Sequence, residues 1–265
     1  MGLYKGFTGL ARIRRNDVDD FYFRFISADI SRNQGINPHL PSYGGSELWR
    51  IISPSKGELS GRVSLLLCES QADDFYDLAY NCREFILDLS YYRRSSRTYY
   101  ECRINTLSFS CKAGELVQIN LDIVSTDDEK GTQTLSNTSN QKLITWDKTN
   151  VLGATPDGSG HDIQSFTYNI DNSLVQVRTA NRFFPLDINR GIQAVTGNIV
   201  WFDSVNERRI TLTSLYNSLD VSDATFRIDN LDIEHGIAHH WSYRTPLSPD
   251  IVATTLEWSK VSDLV

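Results

Sequence analysis

Methionine occurs once, histidine five times and cysteine four times in 265 residues, and these shortages narrow the chemistry open to the chain. Cys68, Cys82, Cys102 and Cys111 form no Cys-x-x-Cys pair, which weighs against zinc and thioredoxin-type chemistry. They read as buried free thiols, with disulfides between subunits left open as the alternative. No run approaches the roughly 18 apolar residues that span a bilayer. The opening Met1-Gly2-Leu3-Tyr4-Lys5-Gly6 lacks the apolar stretch of a secretory signal. The expectation is a soluble chain without a membrane anchor, cytoplasmic at synthesis. Basic residues are also short: 26 Lys and Arg against 33 Asp and Glu give a net charge of -7 and a pI near 5.2. Such a surface grips phosphate poorly, although nucleic acid could pass it without sticking.

Catalytic signatures are missing as well. There is no Gly-x-Ser-x-Gly elbow and no glycine loop with a phosphate-binding lysine. His235, His239 and His240 form the one histidine cluster, but neighbouring strand residues diverge and Gly236 suggests a turn through it. The acidic pairs Asp19-Asp20, Asp73-Asp74 and Asp127-Asp128 read as solvated or helix-starting charge. We therefore expect no catalytic residue, no metal and no cofactor. Trp146, Trp201, Trp241 and Trp258 could stack on sugars in a carbohydrate-binding β-sandwich, but large aromatics more often anchor cores and interfaces.

What the chain has is strand pattern. Phe21, Phe23 and Phe25 alternate along one face, as do Val63, Leu65 and Leu67. Ser70, with Asp73 three residues on, reads as the start of a helix whose Ala72, Phe75, Leu78, Ala79 and Cys82 share a side. Period two returns at Phe85, Leu87 and Leu89, then at Leu107, Phe109 and Cys111. After a turn at Lys112–Glu115, Val117, Ile119, Leu121 and Ile123 alternate with Gln118, Asn120 and Asp122. Asn33 to Gly45 and Ser125 to Lys142 are polar and read as exposed loops. Arg93, Arg94 and Arg97, among Tyr91, Tyr92, Tyr99 and Tyr100, form the strongest basic patch. A salt-bridging hairpin fits an acidic chain better than a single-strand binding site.

The second half then replays the first. Leu59-Ser60-Gly61-Arg62-Val63-Ser64-Leu65 lines up with Val195-Thr196-Gly197-Asn198-Ile199-Val200-Trp201. A helix candidate follows each, Ser70 to Cys82 and Glu207 to Leu219. Phe226 and Ile228 stand where Phe85 and Leu87 stood, and the run through Trp241 and Tyr243 mirrors the strand of Ile119 and Leu121. A repeat of this kind sets architecture. The expected organisation is a first unit over 1–130, a linker or exposed loop over 131–142, and a second unit over 143–265.

Three segments carry a family resemblance: Cys102-Arg103-Ile104-Asn105-Thr106-Leu107-Ser108-Phe109-Ser110, Ile163 through Leu174, and, after a proline, Gly191 through Gly197. In that order the chain resembles the tail tube proteins of tailed bacteriophages, loosely from Phe21 to Trp258. The resemblance implies a mainly β fold, here duplicated: packed antiparallel sheets with a flanking helix in each half, forming rings around a central β-barrel channel. It implies a structural, non-enzymatic virion protein that stacks into the tube through which DNA is ejected. Its partners would be itself, the tail terminator, the baseplate and a sheath or tape measure protein, with transient passage of DNA. It would act in the virion tail after assembly in the host cytoplasm. Single units close with about six copies, whereas a duplicated chain closes with three as a pseudo-hexamer. A tube-related distal tail or baseplate hub adaptor is the alternative. The candidate lumen-facing residues are Gln118, Asn120 and Asp122, and the candidate inter-ring contacts are Arg93, Arg94 and Arg97.

Overall fold

A computed structural model describes residues 9–16, 19–33, 36–39, 51–54, 58–91, 96–131, 135, 142–146, 149–152, 163–179, 185–204, 225–228, 231–234, 237–243 and 251–262. The first half supplies β1 (Gly9–Arg14), β2 (Phe21–Asn33), β3 (Ile36–His39), β4 (Ile51–Pro54), β5 (Glu58–Leu66), α1 (Ala72–Tyr80), β6 (Phe85–Tyr91), β7 (Ser96–Lys112), β8 (Gln118–Ser125) and β9 (Asp127–Gly131). The second supplies β10 (Thr149–Leu152), β11 (Ile163–Asp171), β12 (Val175–Val177), β13 (Asp187–Asn189), β14 (Gln193–Ser204), β15 (Thr225–Ile228), β16 (Leu231–Glu234), β17 (Ile237–Tyr243) and β18 (Ile251–Ser262). The fold is mainly β, as expected.

Six antiparallel strands close on themselves in the order β7-β6-β1-β2-β5-β8 and back to β7. Alternation explains the interior. Phe23, Phe25, Val63, Leu65, Leu87, Leu107, Phe109, Ile119 and Leu121 are all fully buried, and α1 adds Phe75, Leu78 and Ala79 to the same cluster. Aromatic edges lock the helix to the barrel, with Phe75 meeting Phe21 and Phe23 at ring separations of 5.3 Å. Burying side chains of this size is worth roughly 1.5–3 kcal/mol each.

β7 carries more than its share of neighbours. One edge pairs with β8 and then β9, while the other pairs with β6 near its start and with β11 near its end. Through β11 the sheet continues to β14, β18 and β17.

The strand order β11-β14-β18-β17 repeats the order β2-β5-β8-β7. The repetition extends to register. Ile30, Gly61, Ile123 and Ile104 stand abreast in the first half, and Tyr168, Gly197, Trp258 and Ala238 do so in the second. A one-residue bulge between Phe25 and Ser27 has its counterpart between Ile163 and Ser165. Another between Ile104 and Thr106 has its counterpart between Ala238 and His240. The pairings β1-β6-β7 likewise recur as β10-β15-β16. β16 and β17 together thus occupy the place of β7, and β18, rather than the run through Trp241 and Tyr243, occupies that of β8. Gly61 has a steric reason to be glycine, since a Cβ there would lie 2.1 Å from the Asp29 carbonyl oxygen.

Three local expectations are corrected. The stretch from Ser125 to Lys142 is not all loop: Asp127–Gly131 is β9, and Ser125 and Thr126 are buried. β9 forms because its backbone completes the ladder of β7, which demands nothing apolar of its side chains. The polar stretch after Asn33 likewise contains β3, paired with β4. The helix starts after Gln71 without a side-chain cap, and Ser70 sits at φ 65 instead of capping it. The Gln71 amide donates instead to the Tyr22 carbonyl at 2.7 Å. The second helix candidate, Glu207 to Leu219, lies outside the described residues.

Candidate functional site: a polar sheet face

Along the path β2-β5-β8-β7-β11-β14 one face packs on the core and the other is polar for a reason written in the alternation; β18 and β17 continue the sheet. Across it run Ser27, Ser64, Asn120, Ser108, Asn169, Thr196 and Ser259, each opposite the next. All are small and uncharged. A parallel row holds Asp29, Arg62, Asp122, Thr106 and Asp171, and a third holds Gln118, Ser110, Thr167, Asn198 and Glu257.

Gln118, Asn120 and Asp122 therefore sit together on this face, half-buried, while Val117, Ile119, Leu121 and Ile123 point into the core. The Ser64 hydroxyl donates to Asn120 at 2.7 Å. Asp122 accepts two hydrogen bonds from Arg62, at 2.7 and 2.9 Å. These contacts raise the already high pKa of the guanidinium, leaving a fixed ion pair instead of a lone acid. The corresponding pair on the second half is Asn198 and Glu257, at 3.5 Å.

The basic patch is less of a unit than its sequence suggests. Arg97 sits at the start of β7 and binds Asp128 of β9 in the same chain. Arg93 and Arg94 lie outside the described residues. Nearby, Asp88 accepts from Arg12 at 2.9 Å, Arg14 at 2.8 Å and Thr98 at 2.8 Å. Burial opposes its ionisation, but hydrogen bonds from Arg14, Thr98 and Arg12 prevail and hold the carboxyl below its ordinary range.

Sequence reading missed the group that fastens the two halves. Asn172, fully buried, donates to the carbonyls of Ala79 and Ile104, both at 2.8 Å. Gln193, 1% exposed, donates to the Tyr80 carbonyl at 2.9 Å and to the Asn172 carbonyl oxygen Oδ1 at 2.7 Å. The bulge residue Asn105 completes the set, its backbone oxygen accepting from Asn172 N and its side chain from Leu174 N. Gly191 fits because its place against the Ser173 carbonyl, 2.2 Å from a would-be Cβ, admits no side chain. The signal was in view: both buried amides belong to the segments that carry the family resemblance.

All four cysteines are buried thiols outside any disulfide. Burial pushes the Cys68 and Cys111 thiols up to about 11 and Cys102 to about 12, so they stay protonated and weakly nucleophilic. Among the described residues no group of His, Cys, Asp and Glu is placed to hold a metal, and no helix is long and apolar enough to cross a membrane. His235 lies outside the described residues, and His239 occupies the bulge of β17.

No curated protein matches the chain. A family model described as phage tail tube protein matches residues 16–229, a span that takes in five of the six barrel strands, the staple around Asn172 and most of the polar face. The chain belongs to the phage tail tube protein family, structural proteins of the virion tail.

Proposed function

We propose that the chain is the repeating ring subunit of the tail tube, and that its polar sheet face lines the channel through which DNA leaves. The observation that carries this reading is the uncharged row from Ser27 to Ser259, which crosses seven paired strands without a break. A wall made of hydroxyls and amides offers phosphate no fixed cation, so no counterions are released and the DNA is not held. Arg62, the cation within these rows, is already bound by Asp122, while Lys112, opposite Ser165 at the end of β7, is an exposed cation on the same alternation as Ser108 and Ser110. We propose further that the two halves are two copies of one tube unit, so that three chains close a ring of six units. The matching strand order, glycines and bulges support this.

Electron microscopy of the purified protein tests the reading: stacked hollow tubes are expected, with three subunits per ring. A Ser108→Cys protein should react with a bulky maleimide before assembly and be shielded from it afterwards. Isolated rings that never stack would favour the adaptor alternative. Rapid labelling of Ser108→Cys in intact tubes would put this face on the outside.

A further inference from the structure

The barrel has a second outward face. In the closed order β1 and β6 lie across the interior from β8 and β5, so their outward side chains point away from the polar rows. There Arg12 stands opposite Asp88, Asp88 opposite Thr98, and Thr98 opposite Glu129. With Arg14 and Lys130 these residues line a cavity of about 340 Å³. Asp88, its side chain 9% exposed, sits between two guanidiniums: Arg12 Nη2 and Arg14 Nε reach the same carboxylate oxygen at 2.7 and 2.8 Å. One carboxylate between two arginines leaves a positive charge over. Each guanidinium also carries about five N–H donors, of which Asp88 engages only part. Asp20 approaches Arg12 to 3.7 Å, too far for a hydrogen bond. Glu129 accepts from the Tyr100 hydroxyl. Among the described residues Lys130, exposed on β9, has no ion-pair partner. Arg12, Arg14 and Lys130 thus face Asp88 and Glu129, an excess of one cation in a chain that is acidic overall.

We propose that this cavity is an oxyanion site, taking a carboxylate or phosphate group between Arg12, Arg14 and Lys130; its place on the outside of the tube rests on the channel reading above. Forked guanidinium donors match the paired oxygens of either group. Asp88 and Thr98 hold the fork before any ligand arrives, because Thr98 donates to Asp88 at 2.8 Å while Asp88 binds both arginines. A site fixed in advance loses less freedom on binding. The second half does not repeat it. Along β10, β15 and β16 the row reads Asn150, Arg227 and Asp232, one cation against one acid. The site therefore occurs once in each chain, and a ligand on the wall follows the spacing of whole chains instead of that of the six units.

Isothermal titration calorimetry on the full chain, with inorganic phosphate and separately with hexaglutamate at fixed ionic strength, tests this. Saturable binding of one probe per chain is expected. Arg14→Gln should weaken it at least about tenfold, as loss of a charge-assisted hydrogen bond does. Lys130→Gln should weaken it about threefold, the scale of an exposed charge. Because Lys130 is exposed on β9, that variant keeps the test open should Arg14→Gln fail to fold. Lys112→Gln, which removes an exposed cation at the other end of β7, should leave binding unchanged. Tighter binding of hexaglutamate assigns the site to acidic side chains of a protein partner, and tighter binding of phosphate assigns it to the free anion. No saturable binding of either probe, or binding that both Arg14→Gln and Lys130→Gln leave intact, would overturn the site. Intact tubes should bind as the unassembled chain does. Binding lost on assembly would overturn the outer placement, while the channel reading stands or falls separately on the labelling of Ser108→Cys.

Discussion

Set side by side, the two halves share a strand diagram and differ in how they treat charge on the polar face. In the first, Arg62 clasps Asp122 at 2.7 Å; in the second, the same two places hold Asn198 and Glu257 at 3.5 Å. Beside them, Ser64 and Asn120 hydrogen-bond at 2.7 Å, whereas Val200 stands opposite Thr255. The fold thus fixes where a side chain points, and the sequence is free to choose its charge. The halves also differ in continuity. β7 is one strand of 17 residues, and its counterpart is divided into β16 and β17.

The strongest way to break the comparison is at the core. Leu65→Asp places an unpaired charge on a fully buried face of β5 and costs several kcal/mol, about the whole margin of a domain. Soluble expression and circular dichroism should show no folded protein. Ala in place of Asn172 tests whether the halves are held as one body. It leaves two carbonyls and the Gln193 amide without their partner, for a loss of roughly 2–4 kcal/mol. Chemical denaturation should detect it, with the second half's amides losing exchange protection before those of the barrel.

Acid should separate the halves more gently. Asp88 and Asp77, both in the first half, have carboxyls held below their ordinary range. For Asp77 burial opposes ionisation, but hydrogen bonds from Asn81, Arg83 and Arg15 outweigh it. A depressed folded-state pKa gives stability that is full above the unfolded value, near 3.9, and is lost as pH falls through the folded value. Thermal unfolding should therefore be flat from neutrality to about pH 5 and fall below about pH 4. Asp88→Asn should remove part of that fall.

The smallest effect on folding, and the most telling for function, comes from the polar face. Asn120→Lys should change stability by no more than about 1 kcal/mol, as surface substitutions do. Assembled tubes would then carry an added cation per chain and retain DNA in a salt-sensitive way. Asn198→Arg should act differently, because Glu257 stands beside it as Asp122 stands beside Arg62. Its tubes should release DNA as the native ones do. Equal retention by both variants would show that pairing on this face does not govern passage.

Much of this was legible in the chain. Where one strand face is buried, alternation reports it directly, as Val117 to Ile123 and Phe21 to Phe25 do. The two matched heptapeptides found β5 and β14, because each carries a glycine in mid-strand, which at Gly61 is a steric necessity. What pattern could not show was structure held by backbone or by distant partners. β9 is built from Asp, Glu, Lys and Gly, and exists because the edge of β7 needs a neighbour. Asn172 and Gln193 look like turn residues until the fold brings the end of α1 against them. β17 and β18 alternate alike, so sequence alone matched the wrong one to β8.

The staple around Asn172 has a mechanical consequence. In an antiparallel ladder the hydrogen bonds lie across the strands, so in the proposed ring outward pressure from packed contents would pull each junction along its bonds, all rungs at once. The junction of β7 with β11 has a second fastening, since Asn172 and Gln193 tie it to α1 and to the bulge of β7. Tension along the wall would therefore have to break the staple as well as the ladder before the two halves of one chain came apart.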